Sequence, residues 1–326
     1  VLCRSCKILS VSVDPLLDRS RGALIGLAVG DALGTTLEFE PPGSFEPLTD
    51  MAGGGPFRLA PGEWTDDTSM ALCLAESIVD TRSFDLHDQL RRYVRWYREG
   101  YLSVNGECFD IGTTVRQSLE WFEATGDVHS GPSDEWSAGN GSIMRLAPVP
   151  VAWAFDPGEA MRLAGESSRT THGAPACVDA CRFMAGLIVG AIHGASKEEL
   201  LSPGYTPVPD PWIGQRPDGD LNRIIRGEYL RREPPQIRGT GYVVASLEAA
   251  LWAFSRSSSF QEGALLAVNL GEDADTTGAV YGQIAGAFYG LSCIPRNWLQ
   301  KLAMRDTIME LADGLVSLWP TGDNSA

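Results

Sequence analysis

The chain has 326 residues, 44% of them hydrophobic, and carries 42 acidic against 26 Lys and Arg side chains, for a formal net charge of -16. That is enough chain for a substantial core, and too acidic a surface for non-specific binding to nucleic acid or anionic membranes, which need a basic face. Seven scattered cysteines, an odd number, and four histidines without an HExxH pattern point to a reduced, cytoplasmic protein without a protease-type zinc site.

In chain order, residues 1–19 are expected to form a flexible N-terminal segment, followed by one domain over 20–320 and a short tail at 321–326. Cys3 and Cys6 form a CxxC that no second pair completes into a zinc site. The apolar run Ile8 to Val13 is too short for a secretory signal and lacks a small-residue cleavage site. Ser20 is the first expected helix cap, leading through Leu24, Leu27 and Ala28. Thr65 or Asp67 caps the next helix, with Met70, Cys73, Leu74, Ser77 and Ile78 on one side. Leu86, Leu90, Tyr93, Val94 and Tyr97 follow helical spacing. Asp110 opens a stretch carrying Ile111, Val115, Leu119 and Phe122, which Gly126 stops. Asp156-Pro157-Gly158-Glu159 reads as a capping box with proline in the first turn. Further helices are predicted at about 174–193, 242–256, 260–269, 275–292 and 296–318. Loops are expected at 40–61, 130–138 and 201–235, the last a surface excursion rich in proline, glycine and charge. No alternating pattern persists, so the fold class is all-α.

Glycines recur every fourth residue at Gly22, Gly26, Gly30 and Gly34, at Gly186, Gly190 and Gly194, and at Gly278, Gly282, Gly286 and Gly290. A helix carrying such a stripe lets another backbone approach closely, which has to offset up to about 1 kcal/mol per glycine relative to alanine. The uncharged stretch Thr276 to Ile294 has the length of a membrane span. Its glycine and alanine content, Gln283 and the acidic run before it favour a buried core helix.

The chemistry concentrates in two acidic runs about 200 residues apart, Thr65-Asp66-Asp67-Thr68 and Asp273-Ala274-Asp275-Thr276-Thr277, each placed where a helix should begin. Asp and Thr are common helix caps, and either run alone reads that way. Two such runs, together with Glu38 after the first glycine stripe, would gather a charge of -5 in one place, and two dications would leave about -1. No Cys or His accompanies the set, which favours magnesium or manganese over zinc or copper. Ser137 to Arg145 is a glycine-rich turn expected to lead into a helix, a natural cradle for a pyrophosphate. Trp64 either packs or stacks on a base or sugar.

These segments together resemble the ADP-ribosylglycohydrolase family, which includes the dinitrogenase reductase-activating glycohydrolase. The matching pieces are Gly30-Asp31-Ala32-Leu33-Gly34 with Glu38, Trp64-Thr65-Asp66-Asp67-Thr68, Asp110-Ile111-Gly112, Gly139-Asn140-Gly141-Ser142 with Met144-Arg145, Thr171-His172, Gly239-Thr240-Gly241-Tyr242 and Asp273-Ala274-Asp275-Thr276. The resemblance implies a single-domain orthogonal helical bundle with a binuclear metal cleft. It implies two divalent cations, magnesium or manganese, held by Thr65, Asp66, Asp67, Asp273, Asp275 and Thr276. Glu38 would serve as a gating or acid–base carboxylate, and Asp110 would contact the ribose and move protons. Gly139, Asn140, Gly141, Ser142, Ile143 and Met144 would line an ADP-ribose pocket with His172 at its rim, and Asp31 would be a buried structural carboxylate. Glu272 departs from the small residue many relatives have before the second run, and Ala274 from a frequent threonine.

The implied activity is metal-dependent hydrolysis of the N-glycosidic bond between ADP-ribose and a modified protein side chain, arginine first. Two rivals keep the same residues: an immunity or binding protein that occludes an ADP-ribosyltransferase, and a hydrolase of another linkage, serine-linked ADP-ribose or O-acetyl-ADP-ribose. The expected partners are an ADP-ribosylated protein and ADP-ribose, with no nucleic acid and no membrane, and the acidic surface suits a monomer.

Overall fold

Residues 14–209, 212 and 217–320 are described in a computed structural model. They fold into helices α1 (Pro15–Gly34), α2 (Asp66–Thr81), α3 (Leu86–Glu99), α4 (Thr113–Thr125), α5 (Pro148–Ala152), α6 (Pro157–Arg169), α7 (Pro175–Ile192), α8 (Lys197–Leu200), α9 (Leu221–Ile225), α10 (Val243–Arg256), α11 (Phe260–Val268), α12 (Ala274–Tyr289), α13 (Arg296–Lys301) and α14 (Arg305–Val316). Among the described residues there is no strand, only isolated bridges at Gly54–Leu59 and Gly139–Tyr242. The all-α class is therefore correct.

The cap chemistry moves several boundaries. Asp14 caps α1 by accepting from the Leu16 N–H, with Pro15 in the first turn, so residues 15–19 belong to the helix and Ser20 is buried within it. Helix α4 begins at Thr113 behind Gly112, and Asp110 stands outside it at φ +59°. The stretch 296–318 divides into α13 and α14 because Met304 is left-handed, at φ +52°. Its neighbour Ala303 is held from outside: its N–H donates to Gly62 O at 2.9 Å and its carbonyl accepts from Trp64 Nε1 at 3.2 Å. Trp64 is thus a packing residue with no accessible surface. The segment 201–235 is more than a surface excursion, since Leu221, Ile224 and Tyr229 anchor it in the core. Cys3, Cys6, the run 8–13 and the tail 321–326 lie outside the described residues; the five described cysteines are all free.

Glycine places the two central helices. Helices α1 and α12 run antiparallel along their stripes, Gly22 facing Gly286, Gly26 facing Gly282, Gly30 facing Gly278 and Gly34 facing Ala274. A Cβ built on Gly26 would lie 2.2 Å from the Gly282 carbonyl oxygen, and the other three meet backbone as closely. Only glycine permits this approach. Gly290 lies past the end of α12, with φ +82°. The third stripe behaves differently: Gly186 and Gly190 receive the side chains of Pro207, Met161 and Tyr205 rather than another helix backbone.

Gln283 lies in the apolar interior of α12 and is fully bonded. Its Nε2 donates to Ile143 O (3.1 Å) and Met144 O (2.8 Å), and its Oε1 accepts from Ala147 N (2.7 Å). The central helix thereby grips the glycine-rich turn at 139–145. Among the described residues, α7 is the one helix long and apolar enough to cross a membrane, and 83% of it is buried inside the protein. The membrane-length stretch at 276–294 is mostly the core helix α12, which ends at Tyr289; Leu291–Cys293 form a separate 3-10 turn after Gly290.

Candidate active site

Because α1 and α12 are antiparallel, the C-terminal end of α1 meets the start of α12. Asp31, in the last turn of α1, carries the first consequence. Its Oδ1 accepts from Thr65 N (2.9 Å) and Thr65 Oγ1 (3.0 Å), and its Oδ2 from Thr68 N (3.0 Å) and Thr68 Oγ1 (2.6 Å). Asp31 caps α2 from another helix, as a buried structural carboxylate. Burial pushes it up to about 6, against the pull of the bonds from Thr68 and Thr65.

With three helix ends fixed, the two acidic runs converge. Thr65 Oγ1 lies 3.2 Å from Asp275 Oδ2 and 3.4 Å from Asp67 Oδ2, and Thr276 Oγ1 lies 3.4 Å from the same Asp67 oxygen. Asp273 sits beside them, its Oδ2 accepting from Asn140 Nδ2 at 2.7 Å. Glu38, Asp110 and Asp275 each offer an oxygen within 4.8 Å of the other two. Glu38 and Asp110, first read as acid–base groups, thus share one cluster with the ligand set.

The electrostatics of this cluster are those of crowded, desolvated carboxylates. Burial and then Asp110 push Glu38 up to about 10; burial, then Asp273 and Asp31, push Asp110 up to about 7. Asp66, Asp67 and Asp275 rise well above the usual carboxylate range, each through burial first and neighbouring carboxylates second. Asp273 is raised by burial and eased by the bond from Asn140. Three oxygens, Glu38 Oε2, Asp67 Oδ1 and Asp275 Oδ1, are buried without any hydrogen-bond partner. Orphaned acceptors in a group of carboxylates, with hydroxyls as the other donors, are an all-oxygen set of the kind that hard dications take. The residues present fit a metal centre.

The cluster floors a cleft of about 920 Å³. Gly139, Asn140, Gly141, Met144 and His172 line it, together with Glu38, Asp66, Asp110, Asp273, Asp275 and Thr276. Ser142 and Ile143 do not line it: the Ser142 hydroxyl accepts from Ser168 Oγ at 2.9 Å, and Ile143 is fully buried. His172 is a wall rather than a rim. It is buried, its Nδ1 is 2.9 Å from Thr171 Oγ1, and burial and then Arg145 hold it down at about 3, neutral. A Cβ on Gly141 would lie 2.8 Å from His172 Cε1, which is why glycine stands there. The turn does not lead directly into a helix; α5 starts only at Pro148. Its shape is set by the fully buried Arg145, which donates to Gly141 O (2.7 Å), Thr171 Oγ1 (2.7 Å) and Thr170 Oγ1 (3.1 Å). A bridge to Tyr242 closes it, with Asn140 N donating to Gly241 O at 3.0 Å.

The sequence model of the ADP-ribosylglycohydrolase family matches residues 12–324. The chain belongs to that family. It is 45% identical to the ADP-ribosylarginine hydrolase Tri1 of Pseudomonas putida, over 98% of this chain and 83% of the relative. It is 32% identical to the ADP-ribosyl-(dinitrogen reductase) glycohydrolase of Rhodospirillum rubrum, over 92% and 96% of the two. A solved structure described as an ADP-ribosylglycohydrolase-related protein complex superimposes with a TM-score of 0.82 at 47% identity, covering 94% of this chain and 99% of that one.

In this ADP-ribosylglycohydrolase the cleft includes residues that sequence reasoning passed over. Phe39 and Phe57 line it, and Phe57 packs against Phe109 with ring centroids 5.1 Å apart. Neither belongs to a periodic pattern, so no signal in the sequence singles them out. Thr113, Thr114 and Thr240 also line the cleft, from segments legible only as a helix start and a glycine pair.

Proposed function

We propose that this protein is a metal-dependent hydrolase that removes ADP-ribose from arginine side chains by cleaving the N-glycosidic bond. The observation that carries it is the convergence of both acidic runs, with three orphaned carboxylate oxygens, at the floor of a cleft large enough for a nucleotide. The names of the Pseudomonas and Rhodospirillum relatives support the reaction class, and the first supports arginine.

Thr65, Asp66, Asp67, Asp273, Asp275 and Thr276 would hold two divalent cations, magnesium or manganese. Bound there, such ions would supply positive charge for the ribose hydroxyls and make a water more acidic. The chain's own residues do the rest. The glycine turn at 139–141, backed by neutral His172, offers backbone to the ADP moiety without a charged side chain. Asp110, beside Glu38 and Asp275 at the cleft floor, is placed to take a proton from the attacking water and give it to the departing guanidine nitrogen. Glu38 lines the same space and is the second carboxylate within reach of the reacting groups. The free cysteines support a cytoplasmic setting, and the net charge supports a monomer that avoids nucleic acid and membranes.

The test is turnover of ADP-ribosyl-arginine, with a serine-linked and an O-acetyl substrate alongside, before and after chelation. Arginine-linked turnover that chelator abolishes and manganese or magnesium restores is expected; full-rate cleavage without metal rejects the scheme. An Asp67→Ala/Asp275→Ala variant that still neutralised an ADP-ribosyltransferase in cells would show that occlusion, not hydrolysis, is the main activity.

A further inference from the structure

Glu272 immediately precedes the second acidic run but does not join it. It is left-handed at φ +57°, and its side chain pairs with Arg238, Nε to Oε2 at 3.1 Å and Nη2 to Oε1. Its backbone is locked to the segment after Glu38: Phe39 N donates to Glu272 O at 2.6 Å, and Glu272 N to Glu40 O at 2.8 Å. Phe39 is itself left-handed at φ +63°, and the residue is 65% exposed. Phe39 and Glu272 both line the cleft beside Glu38 and Asp273. A bulky residue at positive φ is strained, and an exposed phenyl ring gains little from burial. Positive φ also occurs at Arg58, Arg82, Leu102 and Met304 away from the cleft, so it is the placement of Phe39 and Glu272 on the cleft wall that singles them out.

We propose that Glu272 and Phe39 form the subsite for the arginine side chain from which ADP-ribose is removed, and that Arg238 holds its place between turnovers. A guanidinium is recognised best by a carboxylate that takes two of its N–H groups and by an aromatic face. Arg238 already shows the first geometry, offering Nε and one terminal nitrogen. An arginine modified on its other terminal nitrogen keeps that same fork. Arg238 is 57% exposed, so its pairing is the solvent-screened kind that exchanges readily. Glu272, 18% exposed and among the residues that line the cleft, is the more sheltered partner, while Arg238 lies on the adjoining groove with Pro42, Pro235 and Trp252, so the carboxylate between cleft and groove can receive either guanidinium. Glu272 and Phe39 are specificity residues: they touch the leaving side chain, not the bond that breaks.

This inference rests on the arginine reading above, and its test separates the two. KM for ADP-ribosyl-arginine and the inhibition constant of ADP-ribose, which lacks the guanidine, are measured on the full chain with manganese. Glu272→Gln and Phe39→Ala should each raise KM about tenfold and leave ADP-ribose inhibition within about twofold of wild type. Arg238→Ala removes the competitor, so its KM should fall to or below the wild-type value. Should Arg238→Ala raise KM as Glu272→Gln does, the ion pair merely stiffens the loop and the proposal fails. It fails equally if Glu272→Gln leaves KM unmoved, or weakens ADP-ribose as much as substrate. A wild-type enzyme inert towards ADP-ribosyl-arginine rejects the arginine reading itself and the subsite with it.

Discussion

Replacing Gly34 by alanine tests whether the helix seam sets the geometry of the metal centre. A Cβ there would lie 2.2 Å from Ala274 O and 2.4 Å from Asp275 Cα, whereas ordinary contact begins at 3.4 Å, so the start of α12 must retreat by about 1 Å. Alanine in place of a helical glycine returns up to about 1 kcal/mol, while overpacking against backbone that cannot rotate away costs about 1–3 kcal/mol or more. The net loss is then between about 0 and 3 kcal/mol, up to several degrees in Tm for a chain of this size. Gly22→Ala is the control: its Cβ would lie 2.2 Å from Gly286 O, the same clash twelve residues further along α12, about 18 Å away at 1.5 Å per residue. Both variants should lose similar Tm in differential scanning fluorimetry. Only Gly34→Ala moves the backbone of Asp275, and a 1 Å misplacement of reacting groups costs up to about a hundredfold in rate. We therefore expect a drop of about ten- to a hundredfold in kcat and weaker manganese binding by calorimetry, with Gly22→Ala near wild type in both when compared well below its Tm. Equal activity losses in the two variants, or intact manganese affinity in Gly34→Ala, would refute the idea that seam and site are coupled.

Other outcomes follow from the same structure. Glu38 and Asp110 are raised in the fold above their unfolded values of 4.5 and 3.8, so their contribution to the metal-free fold is full below about pH 4 and is lost as pH rises through about 7 and on towards 10. The Tm gap between manganese-loaded and chelated protein should accordingly widen from pH 5 to pH 9; a gap that narrowed over that range would contradict the carboxylate assignment. Gln283→Leu leaves Met144 O and Ala147 N without their buried partner, at about 1–3 kcal/mol each, while Ile143 O keeps the Leu146 N–H at 3.4 Å, so urea unfolding should show a loss of about 2 kcal/mol or more. A loss under about 1 kcal/mol would mean that the turn at 139–145 is held by other contacts.

The fold class, most helices and the convergence of the acidic runs were legible because each rests on local pattern: periodic apolar residues, caps and dense Asp-Thr runs. Glycine spacing implied the close approach of some backbone, but not that α1 pairs with α12 or in which direction, and the third stripe shows that spacing alone does not say whether a backbone or a side chain fills the gap. What escaped was set by distant partners. The break at 302–304 depends on Gly62 and Trp64, and the left-handed turns at Phe39, Asp110 and Glu272 depend on a cleft assembled from four stretches of chain. The start of α1 was readable and missed, since Asp14-Pro15 is an ordinary cap followed by a first-turn proline.

The backbone-to-backbone seam between α1 and α12 also bears on how this scaffold can diversify. Where the seam reaches the acidic pocket, at Gly34, neither helix can accept a side chain without separating the pocket's halves, so variation there is closed, whereas further along, at Gly22, an added side chain costs stability alone. The strained corners at Phe39 and Glu272 and the partner at Arg238 hang outside the seam, on connecting chain. Leaving-group preference can therefore be retuned in a laboratory lineage at those corners, while the reaction centre beneath them stays as it is.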